Sequence, residues 1–394
     1  MFAQFTITGK AAASRLLAIL SLVWLSACAV STAPGSGPAP ELESGAAVPV
    51  ALLVPAGSGV STDEFVARSL ENAARLAMAD LTGVQIDLRV YPTGASPSGA
   101  TSATVQAIND GAKIILGPLY AESANAAGVA AASSGVNVLA FSNNPSIAGG
   151  NVFILGPTFA SIADRLVSYG GRQGLDTYLV AYGDDLQGQL GRDAIVSAVN
   201  RFGGTVAAVE SYNLTQQDIV AAAPGIAAAA RSTGADAIFL TAGVNADLPI
   251  IATALPDNGM TPDTVRYLGL TRWNAVPQAL TLPGLQGGYF TLPNESTTRA
   301  FESRYSAAYG EAPHPVAGLA YDGMAAIGAL AASGRGDALS RAALTQRQGF
   351  SGTQGIFRLL GDGTNERGLA VATIQNSQVV IVDPAPSSFG GAGF

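Results

Sequence analysis

The 394-residue chain has one cysteine and one histidine. A single thiol excludes an intrachain disulfide. A single imidazole, His314, excludes multi-histidine metal sites and most histidine-centred catalysis. Only 12% of residues are charged, and acidic residues (28) outnumber basic ones (20), for a formal charge of −8. Nucleic acid is therefore an unsuited partner, because such binding leaves a basic footprint. No Walker A loop, G-x-S-x-G elbow or complete dinucleotide fingerprint occurs; Gly57-Ser58-Gly59 lacks its third glycine. Asp184 and Asp185 are adjacent and read as a solvated turn, and His314 sits between Pro313 and Pro315. The chain is expected to be non-enzymatic, with no cofactor and no metal.

What is present is 48% hydrophobic residues and 47 glycines, the composition of a globular chain packed through small residues. Residues 1–27 read as a secretory signal: Lys10 and Arg15 precede an apolar run, Leu16–Leu25, too short to span a bilayer. The run ends in Leu25-Ser26-Ala27-Cys28, which resembles the bacterial lipobox and holds the lone cysteine. Cys28 is thus expected to carry lipid after cleavage, so the membrane is reached by an anchor only. Ala29 in the next position suggests the outer membrane by resemblance to bacterial lipoproteins. Residues 28–47 read as a flexible tether, rich in Ala, Ser, Pro and Gly.

From Val48 strands and helices alternate. Val48–Val54 is a buried-strand run, and Asp63 stands at a helix start. Further strand runs lie near 86–90, 112–118 and 136–141, with helices between them. The alternation restarts at 152–155 and continues to 265–270. Regular βα units with short links predict parallel sheets covered by helices on both faces. The end of the chain reads as a hairpin, with 355–360 paired to 369–375 around Gly361-Asp362-Gly363.

Three segments carry a family resemblance: Ile114–Ser123 with its Gly117-Pro118 turn, Val138–Pro145, and Gly352–Gly368. Their order and spacing resemble the type 1 periplasmic binding proteins, specifically the leucine/isoleucine/valine-binding family. The resemblance implies an α/β fold of two doubly wound parallel-sheet lobes with an interlobe cleft. Lobe 1 would take about 48–157 and 293–345, and lobe 2 about 158–292 and 346–383, leaving 384–394 as a tail. It implies that Ser123, at a helix start, holds a ligand carboxylate, a role that suits a helix N-terminus. Ser142 and Asn143 stand where the family places further ligand contacts. Amino-acid binders put an acidic residue where this chain has Thr271-Arg272-Trp273-Asn274. The three residues Thr271, Arg272 and Trp273 are therefore candidates for a different ligand, with Arg272 suited to an anion. Leucine, isoleucine and valine are expected to bind weakly.

Two functions stay open. One is capture of a small polar solute, amino-acid-like or anionic, between two lobes for an ABC permease in the periplasm. The other rests on a second resemblance, carried by Tyr267–Asn274, Leu282–Phe290, Phe301–Gly310, Tyr321-Asp322 and Gly355–Arg358, to lipoproteins that activate a penicillin-binding protein. There the partner would be a peptidoglycan synthase.

Overall fold

The computed structural model describes residues 37–390. Cys28 and the signal segment lie outside the described residues. Among the described residues no helix is long and apolar enough to cross a membrane.

The first sheet has strand order β2-β1-β3-β4-β5, all parallel. Its strands are β1 (Val48–Val54), β2 (Ile86–Pro92), β3 (Ile114–Leu116), β4 (Asn137–Ala140) and β5 (Val152–Ile154). Between them run α1 (Ser61–Ala79), α2 (Pro97–Asn109) and α3 (Ala121–Ala131). Strands buried on both faces are continuous apolar runs, as in Ala51-Leu52-Leu53, and require helices on both sides. One face packs on α2 and α3 through Ala103, Ala107, Ala124 and Ala127. The other packs on α1 and on two helices from much later in the chain, α8 (Glu295–Tyr309) and α9 (Ala317–Ala331).

The second sheet has order β15-β14-β10-β9-β8-β6-β7. Five of its strands are parallel: β6 (Thr177–Gly183), β7 (Thr205–Tyr212), β8 (Ala237–Leu240), β9 (Arg266–Gly269) and β10 (Tyr289–Leu292). Strands β14 (Ala370–Gln375) and β15 (Gln378–Asp383) add an antiparallel edge. Its helices are α4 (Phe159–Arg172), α5 (Leu186–Arg201), α6 (Gln216–Thr233) and α7 (Leu248–Asp257). Separate apolar clusters fill its two faces.

The chain passes between the lobes three times: after β5, after β10, and between β13 (Asn365–Arg367) and β14. Side-chain caps set two of the re-entry points. Thr158 caps α4 by accepting from Ser161 N at 3.2 Å, and Asn294 caps α8. A small antiparallel sheet, β11 (Phe350–Gly352), β12 (Gly355–Leu359) and β13, lies at these crossings. Asn365 Nδ2 donates to the carbonyls of Ile154 (2.9 Å) and Gly156 (2.8 Å), lacing the third passage to the first.

Three expectations need correction. The strand β12 pairs with β13, whereas 370–375 pairs with β10 and β15, because the edge of β10 away from β9 is open to receive a strand. Phe350, Phe357 and Leu359 pack in the core of the first lobe, so the return to the second lobe falls at β14 instead of at residue 346. The stretch expected to be a tether is docked from Gly37 onward. Gly37 N donates to Ala132 O at 3.1 Å, Leu42 N donates to Gly336 O at 2.8 Å, and Leu42 packs on the first core. Near the end of the described residues, the Arg358 guanidinium lies 4.5 Å from the Phe389 ring centroid.

Candidate functional site

In open α/β sheets, ligands bind beyond the carboxyl ends of the strands. Here those ends belong to both lobes. Beyond β3, Gly117 turns the chain with φ +91°. A Cβ there would stand 2.3 Å from Leu53 O, so only glycine fits. The turn delivers Ser123 to the first turn of α3. Ser123 is 1% exposed, and its Oγ has no hydrogen-bond partner among the described residues. A buried unpaired hydroxyl costs on the order of 1–3 kcal/mol unless something supplies the bond. Beside it, Tyr120 OH donates to Asp63 Oδ1.

The other first-lobe candidates are placed differently. Ser142 is buried, and its Oγ accepts from Asn144 N at 3.1 Å, so this hydroxyl shapes a turn. Asn143 is exposed and lines a 340 Å³ groove between the first-lobe loop and α5, with Thr158, Phe159, Leu186 and Gln187.

In the second lobe, the ends of β6, β7, β8 and β9 surround a 440 Å³ cavity lined by Asp185, Leu214, Thr241, Asp247 and Thr271. Thr271 Oγ1 donates to Ala242 O at 2.9 Å, which holds the chain as it leaves β9. Asp185 Oδ1 caps α5 by accepting from Gly188 N at 2.7 Å. Asp247 is 6% exposed; its Oδ1 accepts from Gly243 N at 2.7 Å and its Oδ2 from Tyr212 OH at 2.6 Å. Burial, with Asp247 beside it, drives the Tyr212 phenol far above its ordinary pKa, so it stays a donor.

Two sequence candidates lie elsewhere. Trp273 is fully buried in the second-lobe core against Phe290, so it offers no surface to a solute. Arg272 is exposed and has no ion-pair partner among the described residues. No hydrogen bond joins Arg272 to Ser123 among the described residues. Sequence reasoning missed Asp247 and its partner Tyr212. Tyr212 ends β7 and Asp247 immediately precedes α7, and the 35 residues between them hide the pairing from local sequence. Among the described residues no group of His, Cys, Asp and Glu is arranged to hold a metal.

At the crossings, a 370 Å³ cavity separates α4 and α5 from the small sheet. There Asp164 pairs with Arg201. Burial raises its carboxyl to about 6; Arg201 opposes the shift and Glu366 adds to it. A folded-state pKa above the unfolded value means the native state holds the extra proton between about pH 4 and 6. Stability contributed by this group is present below about pH 4 and is lost as pH rises to about 6. Asp164→Asn is expected to flatten that slope. Denaturant titrations of both proteins at pH 4, 5 and 6 check it; an unchanged slope in the variant refutes the assignment.

The geometry is that of a two-lobed α/β solute-binding protein. The profile of a family described as "Periplasmic binding protein" matches residues 47–378. The chain belongs to that family. Its structure is similar to that of a putative branched-chain amino acid ABC transporter from Rhodospirillum rubrum. The TM-score is 0.69 at 18% identity, covering 86% of this chain and 100% of the other. It is similar to an ABC transporter substrate-binding protein from Desulfitobacterium hafniense in complex with Leu, with TM-score 0.59, 18% identity and coverage of 86% and 100%. It is also similar to a solute-binding protein from R. palustris in complex with benzoate, with TM-score 0.54, 18% identity and coverage of 88% and 99%. No curated protein matches the chain in sequence. These likenesses are to binding and transporter proteins and lend the synthase-activator reading no support.

Proposed function

We propose that this protein captures a small polar solute between its lobes and presents it to an ABC permease, acting in the periplasm from a lipid anchor at Cys28. The observation that carries the reading is the Ser123 hydroxyl, buried without a partner among the described residues at a helix N-terminus on the strand ends. Backbone donors of the first turn of α3 stand beside it, a setting that suits an oxygen of a bound solute. Family membership and the leucine- and benzoate-bound relatives support the same use of the cleft. In this reading each lobe supplies one wall, and Ser123 and Thr271 stand on opposite walls. Closure about the three crossings would trap the solute by differential affinity for the closed form.

The test is to purify the protein from its own envelope, denature it, and identify released molecules by mass spectrometry. About one small solute per chain is expected, at the ordinary stoichiometry of a single-cleft binder. Readdition should raise the melting temperature of the wild type and raise that of Ser123→Ala less. Release of nothing, with no solute in the native extract shifting the melting curve, overturns the reading. The anchor is tested separately. Cys28→Ser is expected to move the protein from the membrane pellet to the soluble fraction; persistence in the pellet after a high-salt wash refutes it.

A further inference from the structure

We infer that the base of lobe 1 is the membrane-facing surface of this protein, held there by a strap, residues 37–46, that docks across it. The inference rests on the reading of Cys28 as a lipid anchor. The base is the end where the parallel strands start, opposite the strand ends that form the cleft. The strap precedes the stretch shared with the family. It touches turns at the base of lobe 1. Gly37 N donates to Ala132 O at 3.1 Å, ahead of β4, and Leu42 N donates to Gly336 O at 2.8 Å, beyond α9. Val48 N then donates to Gln85 O at 2.8 Å, where β1 and β2 begin. The fit is close at the level of the backbone. A Cβ on Gly135, whose φ is +66°, would stand 2.1 Å from Pro38 O, and one on Gly37 would stand 2.7 Å from Ser133 O. Two facing glycines thus let the strap and the 132–135 turn meet. Leu42 adds an apolar side chain packed on the lobe-1 core.

The docked strap limits how far the anchor reaches. Nine residue steps separate Cys28 from Gly37. Fully extended, they span about 30 Å at most. Helix α1 joins the end of β1 to the start of β2 and so runs the height of lobe 1. Its 19 residues are about 28 Å long at the helical rise. The reach of the anchor therefore barely equals the height of one lobe. That is too little to bring the cleft or lobe 2 down onto the bilayer. Were residues 37–46 undocked, the steps from Cys28 to Val48 would span about 65 Å, and any face could turn to the lipid. The base faces the bilayer without entering it. No large apolar side chain is exposed in the strap or at 81–85, 132–136 or 331–337. Exposed Glu41, Glu43, Arg335 and Asp337 keep this surface polar. With lobe 1 held in this way, closure swings lobe 2.

The experiment is energy transfer on the full lipidated chain, in vesicles of phosphatidylethanolamine and phosphatidylglycerol that carry a headgroup acceptor dye. Cys28 is the only native thiol, and its sulfur is occupied once lipid is attached, so one introduced cysteine takes the donor dye. Thr82→Cys, exposed just ahead of β2, marks the base of lobe 1. Ser232→Cys, exposed at the end of α6 where β8 is about to start, marks the far end of lobe 2. Transfer is expected to be at least about twofold stronger at Thr82, because Ser232 stands more than one lobe height, about 28 Å, farther from the lipid. Inserting about twenty Gly/Ser residues between Ser31 and Thr32 leaves the strap docked and lengthens the reach, so the contrast should fall to about half or less. Equal transfer at the two sites, or stronger transfer at Ser232, overturns the inference, as does an unchanged contrast after the insertion. In each of those outcomes the protein is still held on the vesicles, and the anchor at Cys28 stands. If the protein does not associate with the vesicles, the anchor fails and this inference falls with it.

Discussion

Asp322→Ala is expected to cost about 3–5 kcal/mol of stability, the usual result of stranding one member of a buried ion pair. Asp322 lies on α9 and is 0% exposed. Its Oδ2 meets Arg367 Nη1 at 3.1 Å, and its Oδ1 accepts from Thr353 N at 2.6 Å. Arg367, 2% exposed, also donates to Leu155 O on the first crossing and lies over the Phe357 ring at 5.2 Å. One carboxylate thus ties a lobe-1 helix to the small sheet, and through Arg367 to the passage between lobes. Removing it leaves a guanidinium without its anion in a site water does not reach. Denaturant unfolding checks this. The double variant Asp322→Ala/Arg367→Met should lose less than the sum of the two single losses, because neither charge is then stranded. A single-variant loss under about 1 kcal/mol would mean that water or another anion serves Arg367.

How far these features were legible follows from what each depends on. Central strands such as β1, β3 and β8 are continuous apolar runs because both faces are covered, so local sequence announced them. Ser123 was legible because Gly117-Pro118 marks the turn that starts its helix, and the structure buries that serine on the strand ends. The partner of 355–359 was not legible. Pairing with 365–367 instead of 369–375 is decided by which strand edge is free in three dimensions. The docking of Gly37–Ala46 was hidden for a similar reason: a Pro/Gly/Ser stretch looks flexible until Ala132 O and Gly336 O are there to receive it. Asp247 was hidden because its partner Tyr212 lies 35 residues away on another strand. Asp63 reads from sequence as a helix-start residue, while the hydroxyl it accepts from, Tyr120, lies 57 residues on.

Trp273 gives the last expected result, because sequence position and structure assign it opposite roles. By position it follows β9, where a relative would place a ligand group. In space its indole turns inward. It is 0% exposed and lies 5.3 Å from the Phe290 ring. Gly269 and Gly288 lie beneath it: a Cβ on Gly269 would stand 2.3 Å from Trp273 Nε1, and one on Gly288 2.8 Å from Trp273 Cζ3. Two glycines, one ending β9 and one just before β10, thus leave room for one indole. Trp273→Ala should therefore cost about 3–5 kcal/mol, the range for emptying a large aromatic site in a core. Gly269→Ala should also destabilise, by about 1–3 kcal/mol, because the added methyl overlaps the ring. Arg272→Ala, one residue away but exposed, should stay within about 0.5 kcal/mol of wild type. Solute affinity of folded Trp273→Phe should match that of wild type. If Trp273→Ala unfolds at the wild-type midpoint yet loses its solute, the indole faces the cleft and the core assignment is wrong. The contrast between neighbours 272 and 273 is the informative comparison, because a general weakness of the 271–274 turn would move both alike.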